Sequence, residues 1–402
     1  MVCTAGPIVR TQRRTLELAE LFRRYGDRLG PLSGRQPHVV RAISSCRTAA
    51  LGGHVRQCDR CDHQEISYNS CRDRHCPKCG ALAQARWVEA RQADLLPVQY
   101  FHVVFTIPDA LNALFLAQPK TAVDLLFASV AETLQEVALH PKRLGAKIGL
   151  IAVLHTWTQT LLYHPHVHCI VPGGGLDPSG NRWIQARPDF FLPVRVLSRV
   201  FRGKLLCKLK AKLAGGNPES QASLTAALHQ AAQPDWVVYC KAPFAGPEQV
   251  LRYLGRYTHR IAISNERLVS SQNDQVTFRW KDRAHGNESK LMTLDAVQFL
   301  KRFLLHVLPR HLVRIRHYGL LANPVRRERI ARCRELLRAP PPEPPAPPLP
   351  RKDKSEEETW LELLFRLTGK DLSVCPRCRE GKMHVAERLL PVPRVHAMGL
   401  SP

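Results

Sequence analysis

The chain has 402 residues, 44% of them hydrophobic and 23% charged, a balance that allows two or three domains with a sizeable core and excludes wholesale disorder. Its 59 Lys+Arg against 34 Asp+Glu give a formal charge of +25, and the natural counter-polyanion for such an excess is nucleic acid. Met1 to Leu18 lacks the apolar run of a secretory signal and no stretch reaches the eighteen or so apolar residues of a membrane span, so a cytoplasmic protein with no membrane partner is expected.

Thirteen cysteines in such a chain are expected to be thiols and metal ligands rather than disulfides. Two C-x-x-C knuckles, Cys58/Cys61 and Cys76/Cys79, lie fourteen residues apart, close to the spacing of a four-cysteine zinc ribbon. Four thiolates from two tight turns can close a tetrahedron around Zn²⁺ with no open position, which makes the expected site structural. Cys71, His75, His54 and His63 are alternative donors nearby. Arg56, Arg60, Arg72, Arg74, Lys78 and Arg86 surround the knuckles and suit phosphate contacts. Ala81 to Leu96 reads as a helix leading out of this first domain, residues 1–95.

The next domain, residues 96–325, opens on a strand over Gln99–Pro108, followed by helix-forming residues from Leu111 to Leu139 broken at Pro119. Ile148 to Thr158 reads as a buried strand, paired antiparallel with the segment after it. That segment, Tyr163-His164-Pro165-His166-Val167-His168-Cys169-Ile170-Val171, is the most informative in the chain. Strand alternation puts His166 and His168 on one face and Val167, Cys169 and Val171 on the other, so a half-buried strand presents two imidazoles that one cation could bridge. His155, Gln159 and His164 are nearby candidates for a third ligand, as is a residue of the helix described next.

Pro247 opens a predicted helix through Arg260 in which Tyr253 and Tyr257 are i, i+4 neighbours. Val250, Leu251 and Leu254 form an apolar stripe, Arg252, Arg256 and Arg260 a basic one, and the tyrosines lie on the border. Two phenols beside three guanidinium groups suit nucleophilic attack on a phosphodiester held by the cations. Arg260–Ser264 and Gln275–Trp280 read as a hairpin around Ser270–Asp274, and Leu294–Val307 as an amphipathic helix. Residues 326–354 read as a basic helix and a linker, with eight prolines between Pro340 and Pro350. In residues 355–402, Ser355 and Glu358 form a capping box before a short helix ending near Gly369, and Cys375/Cys378 is a lone knuckle whose two thiolates alone cannot saturate zinc.

His-Pro-His-Val-His-Cys-Ile-Val-x-Gly-Gly-Gly-Leu from His164, with Tyr-Leu-x-Arg-Tyr-Thr-His-Arg from Tyr253, resembles the two-tyrosine HUH transposases of the IS91 type. Arg47–His54 and Tyr68–Cys79 resemble the zinc-binding front end of that family, and Phe303–Pro309 and Arg314–Asn323 its later part, so the likeness runs from about residue 35 to 325. The resemblance implies an α+β fold: a zinc ribbon-like domain, then a palm-like nuclease domain with a central antiparallel sheet and a tyrosine-bearing helix. It implies a transposase that cleaves and rejoins single-stranded DNA at the ends of an insertion sequence and at its target, by rolling-circle transfer through a 5′-phosphotyrosine. Tyr253 and Tyr257 would be the nucleophiles, with catalytic Mg²⁺ or Mn²⁺ on His166 and His168 and structural Zn²⁺ on Cys58, Cys61, Cys76 and Cys79. A homo-oligomer is compatible with this reading. The competing readings are an HUH relaxase or replication initiator, a non-catalytic zinc-ribbon DNA-binding protein, and a metal-dependent hydrolase that activates water; the last lacks a carboxylate cluster.

Overall fold

A computed structural model describes residues 16–92, 94–213, 218–244, 249–250, 255, 262–282, 285–339, 360–369 and 371–392. The described residues open on two helices, α1 (Leu18–Tyr25) and α2 (Gln36–Ser45), which precede the hairpin β1 (Gly53–Cys58) and β2 (Gln64–Tyr68). Helix α3 (Gly80–Gln92) then leads to the central sheet. Where one helix from Leu111 was expected, the chain forms a short α4 (Asn112–Ala117) and a long α5 (Pro119–Leu139). Pro119 starts the second helix at a position where its missing N–H costs nothing.

The central sheet has five antiparallel strands, β3 (Tyr100–Thr106), β4 (Gly149–Trp157), β5 (Tyr163–Pro172), β8 (Val238–Phe244) and β12 (Ile315–Gly319), ordered β12-β4-β5-β3-β8. The expected β4–β5 pair thus forms and is central. Between β5 and β8 come the small hairpin β6 (Gly174–Leu176) and β7 (Trp183–Gln185) and two helices, α6 (Val194–Leu213) and α7 (Pro218–Ala232). One sheet face carries Phe101, Val103, Phe105, Leu150, Ala152, Leu154, Val167, Cys169 and Val171, and α5 and α6 bury it with Leu126, Phe127, Val130, Leu134, Phe201 and Leu205. The opposite face carries Tyr100, Ile151, Val153 and Ile170 toward a smaller cluster with Leu95, Leu96, Val250, Ile330 and Cys333, the last two from α9 (Arg326–Leu336).

A separate three-stranded sheet follows, β9 (Leu268–Gln272), β10 (Gln275–Asp282) and β11 (Glu288–Asp295). Its first strand is Leu268–Gln272, later than the expected Arg260–Ser264. Asn273 and Asp274 both take positive φ, 50° and 57°, a two-residue turn that fixes the register at Gln272↔Gln275. Helix α8 (Ala296–Leu304) begins where the Asp295 carboxylate accepts the Gln298 N–H at 2.9 Å. Its Phe299, Leu300 and Phe303 join Leu18, Phe22, Val39 and Ile43 of the front helices in one core with Phe278.

The tail does not stand apart. Strand β13 (Met383–Leu389) pairs antiparallel with β1, making the front sheet β13-β1-β2. Helix α10 (Trp360–Thr368) is tied to α3 by Arg366, whose Nη2 lies 3.0 Å from Glu89 Oε2. The Ser355–Glu358 capping box and the proline run lie outside the described residues. Among the described residues, no helix is long and apolar enough to cross a membrane.

Candidate functional site

Two adjacent central strands build the histidine site. On β5, His166 and His168 share a face, and β4 pairs His155 directly opposite His166 and Val153 opposite His168. The ligand nitrogens of His155, His166 and His168 lie within 4.8 Å of one another, close enough for one ion. His155 and His168 are 3% and 4% exposed, whereas His166 is half-buried, so the cluster is sunk in the sheet and opens on one side.

Hydrogen bonds orient the rings. His166 Nδ1 donates to the His164 carbonyl at 2.7 Å, which directs Nε2 toward the cluster. His168 Nδ1 meets Nε2 of buried His102 at 2.8 Å, and the two ring planes are parallel to within 4°. His155 stacks on Trp157, with centroids 4.7 Å apart. The third imidazole is therefore His155, one of the candidates named from sequence. His164 is turned to Asp109, its Nδ1 3.5 Å from Oδ1. The role of His102 was missed, although alternation along Tyr100–Thr106 gives it the parity of Tyr100 on the face away from Phe101 and Val103.

The donor set can be matched to an ion. Three imidazoles with no carboxylate in the group suit borderline cations such as Fe²⁺, Ni²⁺ or Zn²⁺, and of the two ions expected Mn²⁺ takes imidazole more readily than Mg²⁺, which prefers oxygen ligands. Tyr253 and Tyr257 lie outside the described residues. Two neighbours of theirs are described: Val250 is fully buried in the cluster on the histidine face, and Gly255 lies against α3, where an added Cβ would meet Val88 Cγ2 at 2.8 Å. At the Tyr163 end of β5, a cleft of about 950 Å³ is lined by Arg35, His38, Arg310 and His311 among others, a basic concavity to which none of the three clustered histidines contributes.

The cysteines divide differently from the single ribbon expected of the two knuckles. Cys76 and Cys79 cluster with Cys46 and Cys71, while Cys58 and Cys61 cluster with Cys375 and Cys378. β1 and β2 form a hairpin that leads the chain away from Cys58/Cys61 before it reaches Cys71, so the knuckles never face each other. In the first group, Sγ of Cys79 lies 3.4 Å from that of Cys46 and 3.6 Å from that of Cys71. His75 is not a donor here, since its Nδ1 is 2.8 Å from Asp73 Oδ1 and its Nε2 accepts the Leu308 N–H.

These arrangements have relatives. The family described as "Transposase zinc-binding domain" matches residues 18–107, and the family described as "Putative transposase" matches residues 149–329. A Sinorhizobium fredii protein named "Putative transposase y4qJ" is 50% identical over 92% of this chain and 95% of its own length. The "Transposase for insertion sequence element IS801" of Pseudomonas savastanoi pv. phaseolicola is 28% identical over 78% of this chain and 77% of its own. This chain belongs to the IS91 family of transposases. No solved structure matches it. The zinc-binding family segment holds all four cysteines of the Cys46/Cys71/Cys76/Cys79 group, which fits structural zinc in the front domain. The histidines fall in the second family segment, with the exception of His102.

Proposed function

We propose that this transposase cleaves and rejoins single-stranded DNA at insertion-sequence ends through a 5′-phosphotyrosine, in a palm-like nuclease domain, with Tyr253 and Tyr257 as nucleophiles. The observation that carries the reading is the convergence of His155, His166 and His168 on the sheet face where Val250 is buried, three residues before Tyr253. These three imidazoles would hold a divalent cation, and of Mn²⁺ and Mg²⁺ their chemistry favours Mn²⁺. A bound cation would supply Lewis-acid polarisation of the scissile phosphate.

The chain's own residues do the rest. The tyrosine Oη attacks phosphorus in line, the P–O3′ bond breaks, and the 3′ oxygen leaves with a proton while the phenol loses one. Attack by another 3′-hydroxyl reverses the step and joins a new strand without water or a nucleotide cofactor. A phenol titrates near ~10, so its ionisation needs a nearby positive charge, for which the bound cation and Arg256 or Arg260 are the candidates. His102, touching His168, and the His164 carbonyl, touching His166, position the rings rather than contact DNA. The cleft with Arg35 and Arg310 supports a path for the DNA backbone.

The test is a denaturing gel of the protein with single-stranded DNA carrying the element's ends and Mn²⁺ or Mg²⁺. A covalent adduct is expected, lost in His166→Ala and in the Tyr253→Phe/Tyr257→Phe double variant. An adduct that survives the double tyrosine change would sink the assignment, and tight binding with no adduct would point to a DNA-binding protein without strand chemistry.

A further inference from the structure

The second cysteine group joins two parts of the chain more than three hundred residues apart. Cys58 ends β1 and Cys61 follows it, and Cys375 and Cys378 precede β13, the strand paired to it. Sγ of Cys58 lies 3.7 Å from that of Cys378, and Sγ of Cys61 lies 3.7 Å from that of Cys375. A disulfide would need about 2.05 Å. Four thiolates around zinc at about 2.3 Å stand about 3.8 Å apart along each tetrahedral edge, which is the spacing found.

The turns around the sulfurs are built to match each other. The Arg60 N–H donates to Cys58 Sγ at 3.4 Å, and the Gly381 N–H donates to Cys378 Sγ at 3.3 Å, so each knuckle turns a backbone donor onto its own sulfur. The knuckles also bind one another: the Asp59 N–H donates to the Lys382 carbonyl at 3.1 Å, and the Lys382 N–H donates to Asp59 Oδ1 at 2.8 Å. Gly381 makes room for this, since a Cβ there would stand 2.3 Å from Cys58 Sγ.

Hydrophobic burial alone cannot hold this joint. Its apolar cluster consists of Cys58, Cys375 and Met383, with Cys61 and Cys378 packed against them, far less than a stable small module buries. We propose that Cys58, Cys61, Cys375 and Cys378 bind a second structural zinc ion that clasps the tail onto the front sheet. Two of its ligands lie outside the segment matched by the zinc-binding family, which ends at residue 107. The lone tail knuckle is then half of a closed tetrathiolate site, and residues 62–374 form a loop closed by the metal.

Metal content of the purified full chain tests this directly. With the histidine cluster silenced by His166→Ala in every chain compared, about two zinc ions per chain are expected, with X-ray absorption showing sulfur-only coordination, as two closed tetrathiolate sites require. The Cys375→Ser/Cys378→Ser variant should retain about one. Because that variant could misfold, Cys378→His serves beside it: it should still bind about two ions, and its cobalt-substituted form should show a shifted thiolate band because one sulfur is replaced by nitrogen. One zinc per chain with these cysteines intact, or two in the double serine variant, would overturn the clasp.

Discussion

The front module and the histidine sheet both gather metal-binding side chains, yet they stand on different physical footings. The sheet that carries His155, His166 and His168 is held by a large apolar core on its other face, with Phe105, Phe127 and Phe201 fully buried. The joint between β1 and the tail has only a few buried atoms around its thiols. The contrast teaches that in one region the fold makes the site, and in the other the site makes the fold.

The sharpest way to break that contrast is to remove ligands from each region and measure stability. Cys375→Ser should lose the joint's zinc and free β13 from β1, a cost on the order of 5 kcal/mol, because losing a structural metal ranks among the most damaging single changes. Thermal unfolding with zinc analysis checks it, and an unchanged melting temperature would refute a structural role.

Where the two regions meet, pH provides the next test. Burial pushes His306 down to about 4 from an ordinary 6.5, while its Nε2 lies 3.2 Å from the Leu161 carbonyl and its Nδ1 3.2 Å from Thr156 Oγ1. The unfolded chain takes up a proton below about 6.5 that the folded chain refuses until about 4. Stability should therefore fall as pH drops through that window, by on the order of 3 kcal/mol from this residue, and level off below it. Burial holds His75 and His317 down as well, so the check is the difference in denaturant midpoint between the unaltered chain and His306→Asn across that range. Parallel slopes would show that His306 is not the source.

Smaller still is the effect expected of Gly255→Ala. The new methyl would press on Val88 and cost about 1–3 kcal/mol through overpacking, and Val88→Ala should recover most of it. Since Gly255 lies between the two tyrosines in sequence, adduct formation should weaken along with stability. Last comes His166→Ala, which leaves the core behind the strand intact. Its melting temperature should barely move, within about 1 kcal/mol, while Mn²⁺ affinity collapses. A large drop in stability would mean that the histidines are core residues rather than ligands.

Much of this was legible in the sequence. Period-two alternation around Val167 placed His166 and His168 together, and the β4–β5 pairing followed from two apolar runs separated by a short gap. His155 could be listed but not chosen, because only the cross-strand register that sets it opposite His166 decides between it and His164. The cysteine partners were illegible for a stronger reason. Spacing between knuckles says that a chain can form a ribbon, but it carries no information about a third knuckle some three hundred residues away. Cys46, with no knuckle of its own, gave no local signal at all.

The pairing of β13 with β1 also governs the order in which the protein can assemble as it is synthesised. Domains generally fold as they emerge, from the amino-terminal end onward. Here β1 and β2 emerge early as an isolated hairpin, a form marginally stable in water. They wait beside the open thiols of Cys58 and Cys61 until residues 375–389 leave the ribosome. This early sheet is thus completed by residues made some three hundred positions later, and a chain released before Cys375 would carry a finished histidine sheet behind an unfinished front.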